Sequence, residues 1–429
     1  MANARAGALF VLFAISSFSG SGQQLDLRWP RAEPDLSEEL ARHGEEADQD
    51  ERLRDYFRRN GVVDPVRKRA LVRAEYERWR EEHRRAQTLS IGGSNWVNVG
   101  PTNFAGRIRA MAPHPATAGT LYAGSAGGGL WRTADSGATW TSLTDGVPDL
   151  AIGAVAVATS APNTVYVGTG EGGIPGIGLM KTIDGGTNWT FPEVAAPFAG
   201  PYFSLSVNPT NANDVLLGTY QNGGQRSTDG GQHFAAWVVS GGTVGTWVRD
   251  IVRDPTNANT LWATTYGSSS TVIKSVDGGS NWTIFNTNLP AITQEIKLAV
   301  SSNGTTLYAA FDLGGAATVY KSVSGAAWGP TASVSPSGLY FGQASYNNTV
   351  VVAPGTTDTV IVCGGVCSKS TSGGSAWAQL TMTGGSHVDF HDLEYDSAGT
   401  LYFATDGGIY TSADQGDHTT ARNMGLITG

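Results

Sequence analysis

Cysteine is nearly missing from this 429-residue chain, which has only Cys363 and Cys367, in "VCGGVC". Two thiols cannot staple a fold of this size, and zinc would need two further ligands, so a disulfide framework and a cysteine-only metal site are both excluded. In an exported protein the two could pair across a tight hairpin. Charge is also scarce, at 15 % of residues, which argues against long solvated helices. Positive charge is scarcest from residue 89 onward, where 12 basic residues face 21 acidic ones. Phosphate binding depends on clustered Lys and Arg, so a nucleic-acid partner is not expected. Long apolar runs are limited to one, Ala6 to Phe18, shorter than the ~20 residues that span a bilayer.

That run follows Arg5 and precedes the small residues Ser19 to Gly22, the pattern of a cleaved secretory signal over residues 1–22. The expected location is therefore secreted, periplasmic or cell-surface, with no membrane span left after cleavage. Residues 23–93 carry most of the charge. Within them "DPVRKRALVRAEYERWREEHRRAQ" begins with Asp64 as N-cap and Pro65 at the first helical position, and places Val72, Tyr76 and Trp79 on one stripe. A charged helical segment is predicted here, packing on the next domain or linking to the envelope.

Glycine is abundant instead, with 57 residues. From residue 94 onward short Val/Leu/Tyr runs alternate with Gly, Asn, Asp and Ser, and one stretch recurs: "TADSGATW", "TIDGGTNW", "STDGGQHF", "SVDGGSNW", then "SVSGAAW", "STSGGSAW" and "SADQGDHT". Its Asp, or the Ser replacing it, falls at 135, 184, 229, 277, 324, 372 and 414, at intervals of 42 to 49 residues. That period suits one four-stranded blade, and residues 94–429 hold seven. An all-β, seven-bladed β-propeller is predicted. The Asp accepts backbone N–H groups of the turn between third and fourth strands, the glycines permit positive φ, and the aromatic packs between blades. Because "HTTARNMGLITG" lacks a Trp, Trp96 to Val99 is expected to supply the outer strand of the last blade.

The motif S/T-x-D-x-G-x-x-W/F resembles the Asp-box, or BNR, repeat over roughly residues 95–429. With "NVGPTNFAGRIRAM", "GTGEGG", "HVDFHDLEYD" and "ATDGGIY", the chain looks like large secreted bacterial Asp-box propellers, in the superfamily of sortilin ectodomains and xyloglucan-cleaving endoglucanases. Many such relatives continue into further domains, so a short or truncated member is implied. The resemblance is specific for fold and weak for function, because sialidases, endoglucanases, sorting receptors and assembly factors share it.

In a propeller the first strand of each blade lines the channel, and ligands meet the face where it begins. Aligning the seven first strands places Arg109, Gly153, Phe203, Arg249, Lys297, Asn348 and His391 at one mouth position. Arg109, Glu171, Arg249, Asp250 and Asp312 are the expected ligand-binding residues. In "SHVDFHDLEYD" a strand period of two puts His387, Asp389 and His391 on one side, with Asp406 from the adjoining loop as a fourth ligand for a divalent metal. The same residues also read as a hydrogen-bonded cluster or a solvated rim, and no cofactor is certain.

Sialidase chemistry needs an arginine cluster and a Tyr paired with an acid; "GRIRAM" lacks the Arg-Ile-Pro pattern, and no such pair is visible. An endoglucanase would need two facing carboxylates, for which Glu171 or Asp250 opposite Asp389 or Asp406 are the choices. "GTGEGG" matches G-x-G-x-x-G, but a strand follows it rather than a helix. The leading expectation is a propeller that binds an extracellular glycan or protein through its channel face, with a glycoside hydrolase or metal-dependent hydrolase as the alternative.

Overall fold

The computed structural model describes residues 105–147, 150–172, 174–192, 201–220, 222–242 and 244–428, together with Ala74, Glu77, Arg78 and Glu81. Of two units, 1–43 lies wholly outside these residues and 44–429 holds everything below. The signal segment and Trp96 to Val99 also lie outside them. The four isolated residues are helical, within the stretch where the sequence predicts a helix. Among the described residues no helix is long and apolar enough to cross a membrane.

The rest is all-β, in seven sheets that are antiparallel apart from one added edge strand in the fourth blade. Their first strands are Ile108–Pro113, Ile152–Val157, Tyr202–Asn208, Trp247–Arg253, Lys297–Val300, Thr349–Val352 and Phe390–Tyr395. Each first strand neighbours the next, the last neighbours the first, and all seven contribute to one central cavity. The ring is a seven-bladed propeller. Blades 1, 3, 5, 6 and 7 have four strands; blade 2 has three plus a bridge between Lys181 and Thr190. Blade 4 gains a fifth, Val238–Ser240, which runs parallel to its outer strand Asn281–Ile284.

Second strands are buried on both faces, as in Val165–Glu171 and Leu401–Thr405, and so read as continuous apolar runs. The core is a series of clusters between blades, such as Trp262, Val272, Leu298 and Phe311 between blades 4 and 5.

The repeated turns work as fasteners. Asp277 accepts the backbone N–H of Asn281 (3.0 Å) and the hydroxyl of Ser275, whose oxygen in turn accepts from Gly279 N. Asp135, Asp184, Asp229 and Asp414 repeat the pattern. The following tryptophans reach the preceding blade: Trp189 donates to Leu143 O, Trp328 to Phe285 O, and Trp140 to Arg422 O across the ring seam.

One expectation needs correcting. The seventh sheet has its own fourth strand, Thr420–Ala421, because the Asp414 turn forms without a tryptophan. The seam is closed by side chains: Asp392 Oδ2 accepts Met111 N (2.7 Å), Asp396 accepts Gly119 N, and Thr428 Oγ1 accepts Gly106 N.

Candidate functional site at the channel mouth

The aligned mouth position has a structural cause. In five blades the ladder between first and second strands skips one residue, and the skipped residues are Arg109, Gly153, Phe203, Arg249 and His391. A bulge releases its residue from the ladder and re-aims its side chain. With Lys297 and Asn348, all of these except Arg249 line a channel cavity of about 210 Å³. Gly153 is fixed by crowding, since a Cβ there would lie 2.2 Å from Tyr202 O and 2.4 Å from Gly170 O. Two residues before each mouth position lies an outer tier: Arg107, Ala151, Pro201, Trp247, Glu295, Tyr346 and Asp389.

The two tiers meet in a closed circuit drawn from blades 1, 2 and 7 and from the segment between blades 5 and 6. Arg107 donates Nε (2.5 Å) and Nη2 (2.8 Å) to the two oxygens of Asp406, and Nη1 (2.6 Å) to the Tyr346 hydroxyl. Tyr346 donates to Glu171 Oε1 at 2.5 Å, and Arg109 Nε stands 3.2 Å from that oxygen. Arg109 Nη1 meets His391 Nδ1 (2.7 Å), while His391 Nε2 lies 2.6 Å from Asp406. Both guanidinium groups also lie over the Tyr346 ring, at 5.0 and 4.5 Å.

The electrostatics follow from this circuit. Burial, then the Arg109 charge, pushes His391 below its usual range. It is therefore neutral at pH 7, with Nδ1 accepting from Arg109 and Nε2–H donating to Asp406. Burial alone would raise the Asp406 carboxyl, but the bonds from Arg107 and His391 outweigh it and hold the group well below the ordinary carboxylate range. Burial pushes the Tyr346 hydroxyl up to about 12.

The structure thus joins Arg109 and Glu171 as one pair and places the other three expected ligand residues elsewhere. Arg249 is buried, donates to Glu295 (2.5 Å) and Ser345 O (2.7 Å), and covers the Phe203 ring at 4.0 Å. Glu295 also meets Lys297 at 3.1 Å; burial would raise this carboxyl, and the two cations bring it below its usual range. Asp250 is a clasp between blades, accepting Ile251 N and, from blade 5, Leu298 N. Burial raises it. Asp392 is its counterpart between blades 7 and 1, pushed up by burial to about 6, and Glu394 beside it is raised by burial and then by the charge of Asp392. Asp312 accepts Gly315 N in its own turn.

The four residues expected to hold a metal do not converge. His391 and Asp406 are together, but the last inner strand begins at Phe390, so a period of two does not extend back to Asp389 and His387. Asp389 has φ 62° and accepts from Asn347 Nδ2; His387 is exposed, with Nδ1 2.8 Å from Val388 O. Among the described residues no group of three or more His, Cys, Asp or Glu is arranged to hold a metal ion.

The two cysteines form a disulfide across the Cys363/Cys367 register pair of blade 6. The hairpin they close clamps the mouth. Gly365 N donates to Leu339 O, and Gly364 O accepts from Phe390 N (2.7 Å), so one turn grips the segments that carry Tyr346 and His391. A Cβ on Gly365 would lie 2.1 Å from the Phe341 ring.

Sequence reasoning found no Tyr paired with an acid, yet Tyr346 and Glu171 are such a pair, 175 residues apart. The available signal was positional: Tyr346 stands two residues before Asn348, as Arg107 does before Arg109.

Neither the protein-family models nor the curated proteins yield a match to this chain. Solved structures do. A GH74 enzyme from Niastella koreensis is 21 % identical, with 75 % of this chain and 56 % of that one aligned and a TM-score of 0.58. The GH74 xyloglucanase of Xanthomonas campestris is 18 % identical over 77 % of this chain and 56 % of its own, with a TM-score of 0.60. YCF48, bound to a D1 peptide, is 18 % identical over 75 % of this chain and 98 % of its own, with a TM-score of 0.53. The chain thus spans little more than half the length of the GH74 enzymes and nearly all of YCF48. At these identities the likeness establishes the fold: a seven-bladed β-propeller whose structural neighbours are GH74 enzymes and YCF48.

Proposed function

We propose that this propeller is a secreted recognition module that binds an extracellular glycan or protein through its channel mouth. The observation that carries the proposal is the closed circuit Arg107–Tyr346–Glu171–Arg109–His391–Asp406, in which both carboxylates already face cations. General acid catalysis needs a carboxyl that keeps its proton near working pH. Asp406 is held ionised. The carboxyls that burial raises lie lower in the channel, and Asp392 commits both oxygens to backbone N–H groups. Such a mouth is built to orient a partner. The leader-like N-terminus and the Cys363–Cys367 disulfide favour an oxidising, extracytoplasmic location. YCF48, solved with a peptide bound, is precedent for recognition by a propeller of this length.

The second reading, a glycoside hydrolase, draws on the Tyr346–Glu171 pair and the GH74 neighbours. A panel of immobilised glycans and peptides, scored for both retention and reducing-end release, separates the two. Retention without release is expected. Release that disappears in Glu171→Gln and Asp406→Asn would overturn the binding-only reading.

A further inference from the structure

The mouth has two unlike halves. At the second-strand position where blade 7 carries Asp406, blades 3 and 4 carry Tyr220 and Tyr266; where blade 1 has Arg107 in the outer tier, blade 4 has Trp247. The result is a row of four rings. Phe203 meets Tyr220 edge-on at 6.2 Å, Tyr220 lies 4.5 Å from Trp247, and Trp247 lies 5.1 Å from Tyr266, its register partner across the strands.

Trp247 differs from the other described tryptophans. Trp131, Trp140, Trp189, Trp282, Trp328 and Trp377 each donate the indole N–H to a protein oxygen. Trp237 and Trp262 are buried in the core. Trp247 alone among the nine is partly exposed at the channel face and donates its N–H to no protein oxygen. A large, partly exposed ring with an open donor, at the face where ligands meet a propeller, is suited to an amphipathic partner.

We infer that the row centred on Trp247 is a saccharide platform, on which a neutral polysaccharide stacks the C–H face of a pyranose ring while its hydroxyls reach the indole N–H and the rim. This rests on the recognition reading above and supplies its ligand class. Neutrality follows from the surroundings: every cation at the mouth already faces a carboxylate, Arg249 and Lys297 through the shared Glu295, Arg107 through Asp406 and Arg109 through Glu171, leaving none unpaired for an ionic ligand.

The test is native affinity electrophoresis of the full chain through gels containing xyloglucan, hydroxyethyl cellulose, mannan or a mixed-linkage β-glucan. At least one gel should retard the wild type, Trp247→Ala should lose roughly tenfold or more in affinity while still unfolding cooperatively well above the assay temperature, and Trp247→Phe should restore most of it. Retardation that survives Trp247→Ala but vanishes in Arg107→Met would overturn the platform while leaving recognition at the mouth intact. A wild type retarded by none of these gels overturns the platform as well, and peptide binding in the panel above would then assign the mouth to a protein partner.

Discussion

Asp392 shows how one side chain can oppose the structure it helps to hold. Its two oxygens accept Leu393 N and, across the seam, Met111 N, while burial pushes its titration up to about 6. The folded protein therefore holds that proton more tightly than the unfolded chain does, and stability rises as pH falls through 6 towards the ordinary carboxylate range. Glu394 acts with the same sign. Asp406 acts with the opposite sign, because its depressed titration stabilises the fold above the ordinary carboxylate range and is lost only in stronger acid. His391, held neutral by burial, loses stability over the same range, so the Asp392 contribution is read as a difference: in denaturant melts from pH 7.5 to pH 4.5, Asp392→Asn should lack about 1–3 kcal/mol of acid-side stabilisation relative to the wild type. Wild-type and Asp392→Asn profiles that run parallel across this range would contradict the assignment. At this scale Arg109, Glu171, His391 and Asp406 were legible, because a charged residue at the mouth of a charge-poor chain stands out. Tyr346 was not, since a tyrosine in a turn-rich segment looks like any loop aromatic until its hydroxyl is seen between Arg107 and Glu171. The period-two reading of His387 failed because the strand starts three residues later and a bulge resets its sides.

Among the elements, the Cys363–Cys367 hairpin is the clearest case of local order serving a distant site. It closes so short a loop that the chain-entropy contribution to global stability is only about 2 kcal/mol. Its backbone nevertheless holds both Leu339 and Phe390, and Asp389 O accepts Asp406 N. Cys363→Ser combined with Cys367→Ser should lower overall stability by no more than that amount, yet raise amide exchange selectively at residues 339–347 and 389–391. Uniform exchange across all seven blades would mean that the clamp does nothing local. The Asp turns and their spacing were fully readable, because the turn is made by its own side chains within five residues. The outer strand of blade 7 was misjudged because the sequence marker used for it, the tryptophan, is dispensable when Asp414 and Ser412 already order the turn.

For the whole molecule, the seam between blades 7 and 1 is made as the seam between blades 4 and 5 is, by an aspartate from one inner strand accepting from the next: Asp392 to Met111, and Asp250 to Leu298. Ring closure is then one seam among seven. A circular permutant that links Thr428 to Ala105 and opens in the linker 331–338 should fold cooperatively, with a melting temperature within roughly 10 °C of the parent. Loss of cooperative unfolding would show that the native seam is special. Seven blades could be counted from the period, whereas the division of the mouth into an ionic and an aromatic half required the three-dimensional ring, because its members come from five blades and from the segment between blades 5 and 6.

Gly106 and Thr428 touch beside the Ser125–Gly129 turn, a few residues from Arg107. A tag engineered onto Thr428 would therefore start on the rim of the mouth and not on the side of the Asp turns. Immobilisation through it would turn the mouth towards the surface and shade it. Capture through the turns at Asp184 or Asp277 would instead leave the mouth facing outward.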